Sequence, residues 1–126
     1  MAAINPEVET FQNDWELEQL LFAVDNLVPS SILEVGAWHG GTLWHWLHLS
    51  ERVVVVDDEM RRESDWYRWA HDTGTPLTLL RGLSTQKRVI YEAADNGPYD
   101  FLFIDADHTY DSVRSDWDNY SPLVRE

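Results

Sequence analysis

Ser31-Ile-Leu-Glu-Val-Gly-Ala-Trp-His-Gly-Gly-Thr-Leu-Trp-His-Trp46 is the stretch on which the fold turns. Ile32, Leu33 and Val35 make a short apolar run of the kind that forms a strand buried on both faces. Gly36, Gly40 and Gly41 punctuate the loop after it, and Thr42 is placed to cap a short helix carrying Leu43, Trp46 and Leu47. A strand, a glycine loop and a helix N-terminus, in that order, let backbone come close to a nucleotide-like ligand.

Upstream, residues 1–9 read as a flexible lead-in. From Thr10 the apolar residues Phe11, Trp15, Leu17, Leu20, Leu21, Val24, Leu27 and Val28 recur at helical spacing, and Pro29-Ser30-Ser31 ends that helix. Asn13 and Glu16 are spaced as a capping box, so the helix starts at one place or the other. Downstream, Arg52-Val-Val-Val-Val56 is a second strand covered on both faces, closed by Asp57-Asp58-Glu59. A helix is expected over about 64–72 with Trp66, Trp69 and Ala70 inward, broken by Gly74-Thr75-Pro76. Leu77-Thr-Leu-Leu-Arg81 is a third strand, and Ser84 or Thr85 is placed to cap a helix carrying Val89, Ile90 and Ala93. Tyr99-Asp-Phe-Leu-Phe-Ile104 is the fourth, running straight into Asp105-Ala-Asp-His108. Thr109 then starts a helix with Val113, Trp117 and Tyr120 at i, i+4 and i+7, ended by Ser121-Pro122. Strands alternating with helices predict a single α/β domain with a parallel sheet of about four strands, wound by right-handed crossovers.

The 126 residues suffice for one domain, and 44% hydrophobic with 25% charged residues is globular composition. Nine basic residues against 23 acidic ones give a formal charge of −14, which repels phosphate backbones and argues against a nucleic-acid partner. No run approaches the ~18 apolar residues of a membrane span, and no signal-peptide pattern opens the chain. With no cysteine, thiolate metal sites and disulfides are excluded, and a cytoplasmic protein is the simplest reading. Seven tryptophans either pack the core or line a pocket for a flat ligand.

Chemistry is expected where the strands end, because ligands of open parallel sheets bind beyond the carboxyl ends. Those ends read Glu34-Val-Gly36, Asp57-Asp58, Gly82-Leu-Ser84 and Asp105-Ala-Asp107. Asp57 follows Gly36 by 21 residues, close to the ~20-residue offset of an acidic ribose contact. A lone Asp there would read as a solvated turn residue; four coincident polar strand ends favour a site. The loop is Gly-x-x-x-Gly-Gly, with Trp38 where a dinucleotide fingerprint has its middle glycine. That disfavours a nicotinamide or flavin dinucleotide and fits a ligand without a diphosphate. His45 and His48 are read as a solvated helix face rather than a ligand pair.

Three stretches together resemble class I S-adenosylmethionine-dependent methyltransferases, in the branch of cephalosporin-hydroxylase-like enzymes and sugar O-methyltransferases. They are Ile32–Thr42, Asp57 after its valine strand, and Asp100-Phe-Leu-Phe-Ile-Asp-Ala-Asp-His-Thr-Tyr110 followed by Asp116-Trp117 and Tyr120-Ser-Pro-Leu. The resemblance implies a Rossmann-like three-layer sandwich with strand order 3-2-1-4. It implies that Glu34, Gly36, Ala37 and Gly40 form the loop under the methionine part of the cofactor, and that Asp57 holds the ribose hydroxyls. Asp58 would border the adenine, with Leu83 and Ser84 at its edge. Asp105 would sit beside the methionine amino group or the reacting centre, with Asp107 and His108 facing the substrate side. The reaction implied is methyl transfer to a hydroxyl of a small molecule or sugar, with Asp105 and His108 as catalytic candidates. Asp105 and Asp107 are candidate magnesium ligands, against a histidine and carboxylates that merely cap and hydrogen-bond. Members of that branch continue beyond Ser-Pro-Leu into a fifth strand. The expectation is therefore a chain truncated after its fourth strand, or an intact short protein that self-associates through that strand's uncovered edge. A cofactor-binding or interaction module without catalysis is the alternative.

Overall fold

A computed structural model describes residues 14–27, 29–105 and 110–125. The expected lead-in, the start of the first helix, and Asp107, His108 and Thr109 lie outside the described residues. The elements are α1 (Asp14–Leu27), β1 (Ser31–Val35), α2 (Gly41–Leu49), β2 (Arg52–Asp57), α3 (Glu63–Thr73), β3 (Leu77–Arg81), α4 (Lys87–Asp95), β4 (Phe101–Ile104) and α5 (Tyr110–Tyr120). A short 3-10 turn, Ser121–Leu123, follows. The strands pair in parallel in the order β3-β2-β1-β4, as expected of the Rossmann-like sandwich.

Successive strand side chains point to opposite faces, so an all-apolar strand feeds two cores. Ile32, Val53 and Val55 pack with Leu17, Leu21, Leu43, Trp46 and Trp66 on the α1, α2 and α3 side. Leu33, Val35, Val54 and Val56 pack with Val89, Ala93, Tyr99 and Tyr120 on the other. On the first face, Phe101 and Phe103 lie 5.7 and 5.6 Å from the Trp46 ring, which seats β4 against α2.

Three local expectations are corrected, and the direction of the α5 face, which its periodicity left open, is settled. Neither Thr42 nor Ser84 caps a helix: α2 starts from Gly40 and α4 from Gln86, both without a side-chain cap. Both hydroxyls donate instead to carboxylates, Thr42 to Glu34 and Ser84 to Asp116. His45 is not on a solvated face but buried, its Nδ1 2.7 Å from the Gly41 carbonyl; only His48 is exposed. On α5, Val113 and Trp117 are exposed while Asp116 and Tyr120 are buried. The outer edge of β4 is not wholly uncovered. Val124 forms a parallel bridge to Tyr99, with Tyr99 N–H donating to Leu123 O (3.0 Å) and Arg125 N–H to Tyr99 O (2.8 Å).

Gly40 is required twice over. Its φ of +87° disfavours any L side chain, and a Cβ there would lie 2.2 Å from Trp66 Nε1, which itself donates to His39 O. Gly74 has a similar φ of +72° but open space around it. Gly74→Ala is expected to cost about 1–2 kcal/mol from backbone conformation alone, and Gly40→Ala clearly more. Urea denaturation of the two variants checks the difference; equal losses would mean the indole contact carries no weight.

Candidate functional site at the strand carboxyl ends

The parallel register puts the carboxyl ends of all four strands side by side, and hydrogen bonds stitch the residues just beyond them. Gly36 N–H donates to Val56 O (2.7 Å), Gly82 N–H to Asp57 O (3.0 Å) and Asp105 N–H to Val35 O (2.8 Å). Gly82, Asp57, Gly36 and Asp105 therefore form one continuous rim in sheet order.

Asp57, only 9% exposed, organises the middle of that rim. Its Oδ2 accepts the N–H of Ala37 (2.8 Å), while Oδ1 accepts those of Glu59 (2.8 Å) and Met60 (3.0 Å). One carboxylate thus ties the loop after β1 to the turn after β2. Each tied segment holds a non-glycine residue in the left-handed region, Trp38 at φ 53° and Met60 at φ 49°. Such conformations cost of order 1–3 kcal/mol and persist where the surroundings over-determine them, typically at functional sites. Trp38 therefore keeps a glycine-like backbone without being glycine, its ring stacked on His39 at 4.1 Å. Asp58 beside it is exposed.

Glu34 lies in β1, fully buried on the α2 side. Its Oε1 accepts the Thr42 hydroxyl and Trp46 Nε1–H (3.3 Å), whereas Oε2 has no partner. Burial pushes its carboxyl up to about 8, and the charges of Asp105 and Asp57 push the same way against the two hydrogen bonds. Two acidic groups of the rim thus act on the Glu34 carboxyl beneath it, and near neutral pH Glu34 is mostly protonated. Asp105, half-buried, is the only one of the expected Asp105, Asp107 and His108 among the described residues.

The loop after β3 is the fourth wall. Leu83 N–H donates to Gln86 Oε1 (3.0 Å), Ser84 Oγ donates to Asp116 Oδ1 (2.5 Å), and Tyr120 O–H donates to Ser84 O (2.7 Å). The Leu83 side chain is left 53% exposed. Thr42, Trp46 and Asp116 are site-building residues that sequence reasoning missed as such. A Glu inside an otherwise apolar strand was the signal for the first two, since a buried carboxyl needs donors.

Glu34 holds its proton more tightly folded than unfolded, so its contribution to folding stability falls as pH rises from its ordinary 4.5 through about 8. Glu34→Gln removes that dependence. Between pH 5 and 8 the stability of the variant relative to the parent should rise by at least about 1.4 kcal/mol, the equivalent of one pKa unit. Denaturation midpoints at the two pH values measure it, and parallel profiles would contradict a protonated Glu34.

Several solved structures share this architecture. They include the O-methyltransferase from Bacillus cereus in complex with SAH, at 20% identity and TM-score 0.70, matched over 94% of this chain and 56% of that one. TomG from Streptomyces achromogenes in complex with SAM matches at 14% identity and TM-score 0.65, over 95% and 54%. MycE of the mycinamycin biosynthetic pathway, in complex with Mg and SAH, matches at 18% identity and TM-score 0.69, over 93% and 30%. The chain spans about half the length of the first two and less than a third of MycE. No curated protein matches it in sequence. The family model described as Rhamnosyl O-methyltransferase/CmcI matches residues 6–126, nearly the whole sequence, and the chain belongs to that family.

Proposed function

We propose that this chain binds S-adenosylmethionine and belongs to an O-methyltransferase acting on a hydroxyl of a small molecule or sugar. The observation that carries the reading is the Asp57 carboxylate, pinned at the rim between the glycine loop and the turn after β2. A carboxylate oxygen accepts more than one hydrogen bond, and Asp57 is the residue we assign to the ribose hydroxyls. Glu34, Gly36, Ala37 and Gly40 form the wall assigned to the methionine part, and Asp58, Leu83 and Ser84 the wall assigned to adenine. When bound, this cofactor supplies a methyl group on a cationic sulfonium. Asp105 beside the buried Glu34 offers negative charge to the cationic portion.

We assign Asp105 and His108 to alignment and deprotonation of the acceptor hydroxyl, a task that needs a base within hydrogen-bond reach of that proton. Of the magnesium candidates Asp105 and Asp107, the second lies outside the described residues. Among the described residues no group of three or more His, Asp or Glu side chains is arranged to hold a metal, and hard cations need more oxygens than two carboxylates give. No step is assigned to it. No described helix is long and apolar enough to cross a membrane. The proposal is for a cytoplasmic protein whose charge of −14 disfavours nucleic acid. We also assign self-association to the β4 edge, whose four residues are all only half-buried.

Calorimetry with S-adenosylhomocysteine and with NAD tests the cofactor. Binding of the first and not the second is expected, with Asp57→Ala weakening it at least ten-fold and Asp57→Asn, which keeps one acceptor oxygen, less. A folded Asp57→Ala protein with unchanged affinity would remove the ribose assignment. Methyl transfer from labelled S-adenosylmethionine to hydroxyl acceptors separates an enzyme from a binding module. Sedimentation velocity should show self-association, and a monomer at high concentration would contradict the edge assignment.

A further inference from the structure

Helix α5 turns Asp116 and Tyr120 inward while leaving Val113 and Trp117 exposed. Val113 and Trp117 are 43% and 59% exposed, whereas Asp116 is 2% exposed. Burying a carboxylate is costly unless it is hydrogen-bonded, and an apolar side chain would fill the same space without that cost. The return on Asp116 is a charge-assisted bond from Ser84, 32 residues away in sequence. One turn further along the same helix, Tyr120 donates to the carbonyl of that same Ser84. Burial and the Asp116 carboxylate push the Tyr120 phenol well above its ordinary range, so it stays a donor.

These two bonds complete the immobilisation of a short loop. Gly82 N–H is held by Asp57 O, Leu83 N–H by Gln86 Oε1, Ser84 O by Tyr120 and Ser84 Oγ by Asp116. A hydrogen-bonded path therefore runs from the strand end that carries Asp57, through the loop, to α5. What the restrained loop presents outward is the Leu83 side chain. An exposed leucine on a loop whose backbone is fixed on three elements suits a ligand contact, since its placement is determined before the ligand arrives.

We propose that Asp116, with Tyr120, is a positioning residue for cofactor binding: it clamps the Gly82–Ser84 loop through the Ser84 hydroxyl so that Leu83 meets the flat heterocycle of the bound nucleoside. This rests on the S-adenosylmethionine reading for the identity of the ligand, but the clamp itself does not. It gives the Asp116-Trp117 and Tyr120 stretch a role on the cofactor side of the sheet end.

The test uses the full chain with Ser84→Ala, Asp116→Ala, their double variant and Asp116→Asn. In hydrogen exchange without ligand, the amides of 83–86 should exchange at least ten-fold faster in Ser84→Ala and Asp116→Ala, and near the parent rate in Asp116→Asn, whose amide oxygen still accepts from Ser84. In calorimetry with S-adenosylhomocysteine, each alanine variant should bind about ten-fold more weakly, with the double variant no weaker than the worse single. Asp116→Asn should retain most of the affinity. A purely structural Asp116 would lower the melting temperature and leave the affinity of the folded protein unchanged, and that result overturns the proposal. Unchanged loop exchange in Ser84→Ala, the mildest substitution, overturns it as well. A parent protein that exchanges as expected but binds no S-adenosylhomocysteine overturns the cofactor reading and leaves the clamp standing.

Discussion

A carboxylate that must find donors is the constraint from which this site grows. Asp57 is almost withdrawn from water, where an ionised group is tolerated only if it is hydrogen-bonded, and it accepts three backbone N–H groups. Two come from its own turn and one from Ala37, beyond the neighbouring strand. That geometry exists only because β1 and β2 run parallel with Val35 beside Val56, so both loops leave the sheet at one level. Reaching Asp57 makes the loop curl, and Trp38 and Met60 sit in the left-handed region on either side of the tie. The rim is preorganised: its polar groups are oriented by each other rather than by a ligand.

Glu34 shows the opposite solution to the same problem. It is deeper than Asp57, receives only two donors and leaves one oxygen unpartnered, so it is kept mostly neutral near pH 7. A neutral acid below the glycine loop beside two other acidic groups limits the negative charge gathered at one spot. A cationic ligand close by would favour the ionised form, so charge under the loop is matched to charge above it.

The strands were legible because a parallel sheet covered on both faces leaves little freedom of composition. Val53 to Val56 can hardly be anything else, and the spacing of Gly36 and Asp57 marks the rim in any such sheet. The hydroxyls were misread for a definite reason. Thr42 and Ser84 lie within or close before a helix start, as capping residues do, but capping uses the oxygen as acceptor, whereas here the proton goes to a buried carboxylate. The partners are 8 and 32 residues away, and local spacing carries no trace of the second. Trp117 and Val113 have helical periodicity, yet periodicity gives a face and not its direction. On α5 the buried direction is set by Ser84 and the sheet.

The sheet is unequally finished, and the inequality divides the site. Val53 to Val56 are sealed on both faces, whereas Phe101 to Ile104, as apolar in composition, stay half-buried because β4 has one strand neighbour along most of its length. Val124 meets only Tyr99, at the start of that edge, and an open groove of about 480 Å³ lies at the other end, between Ile104 and the Tyr110, Val113 and Trp117 face of α5. The walls assigned to the nucleoside belong to β1, β2 and β3, where strand ends and loops hold each other in place. The groove belongs to the open side, where an added strand or another molecule has room to pack. Asp105 stands on the boundary, its backbone tied to Val35 on the closed side and its charge felt by Glu34. A carboxylate there stands between the closed side and the groove, and this is the ground on which the proposed hydroxyl chemistry is placed at that strand end rather than at Asp57, which ties together the two loops of the closed side.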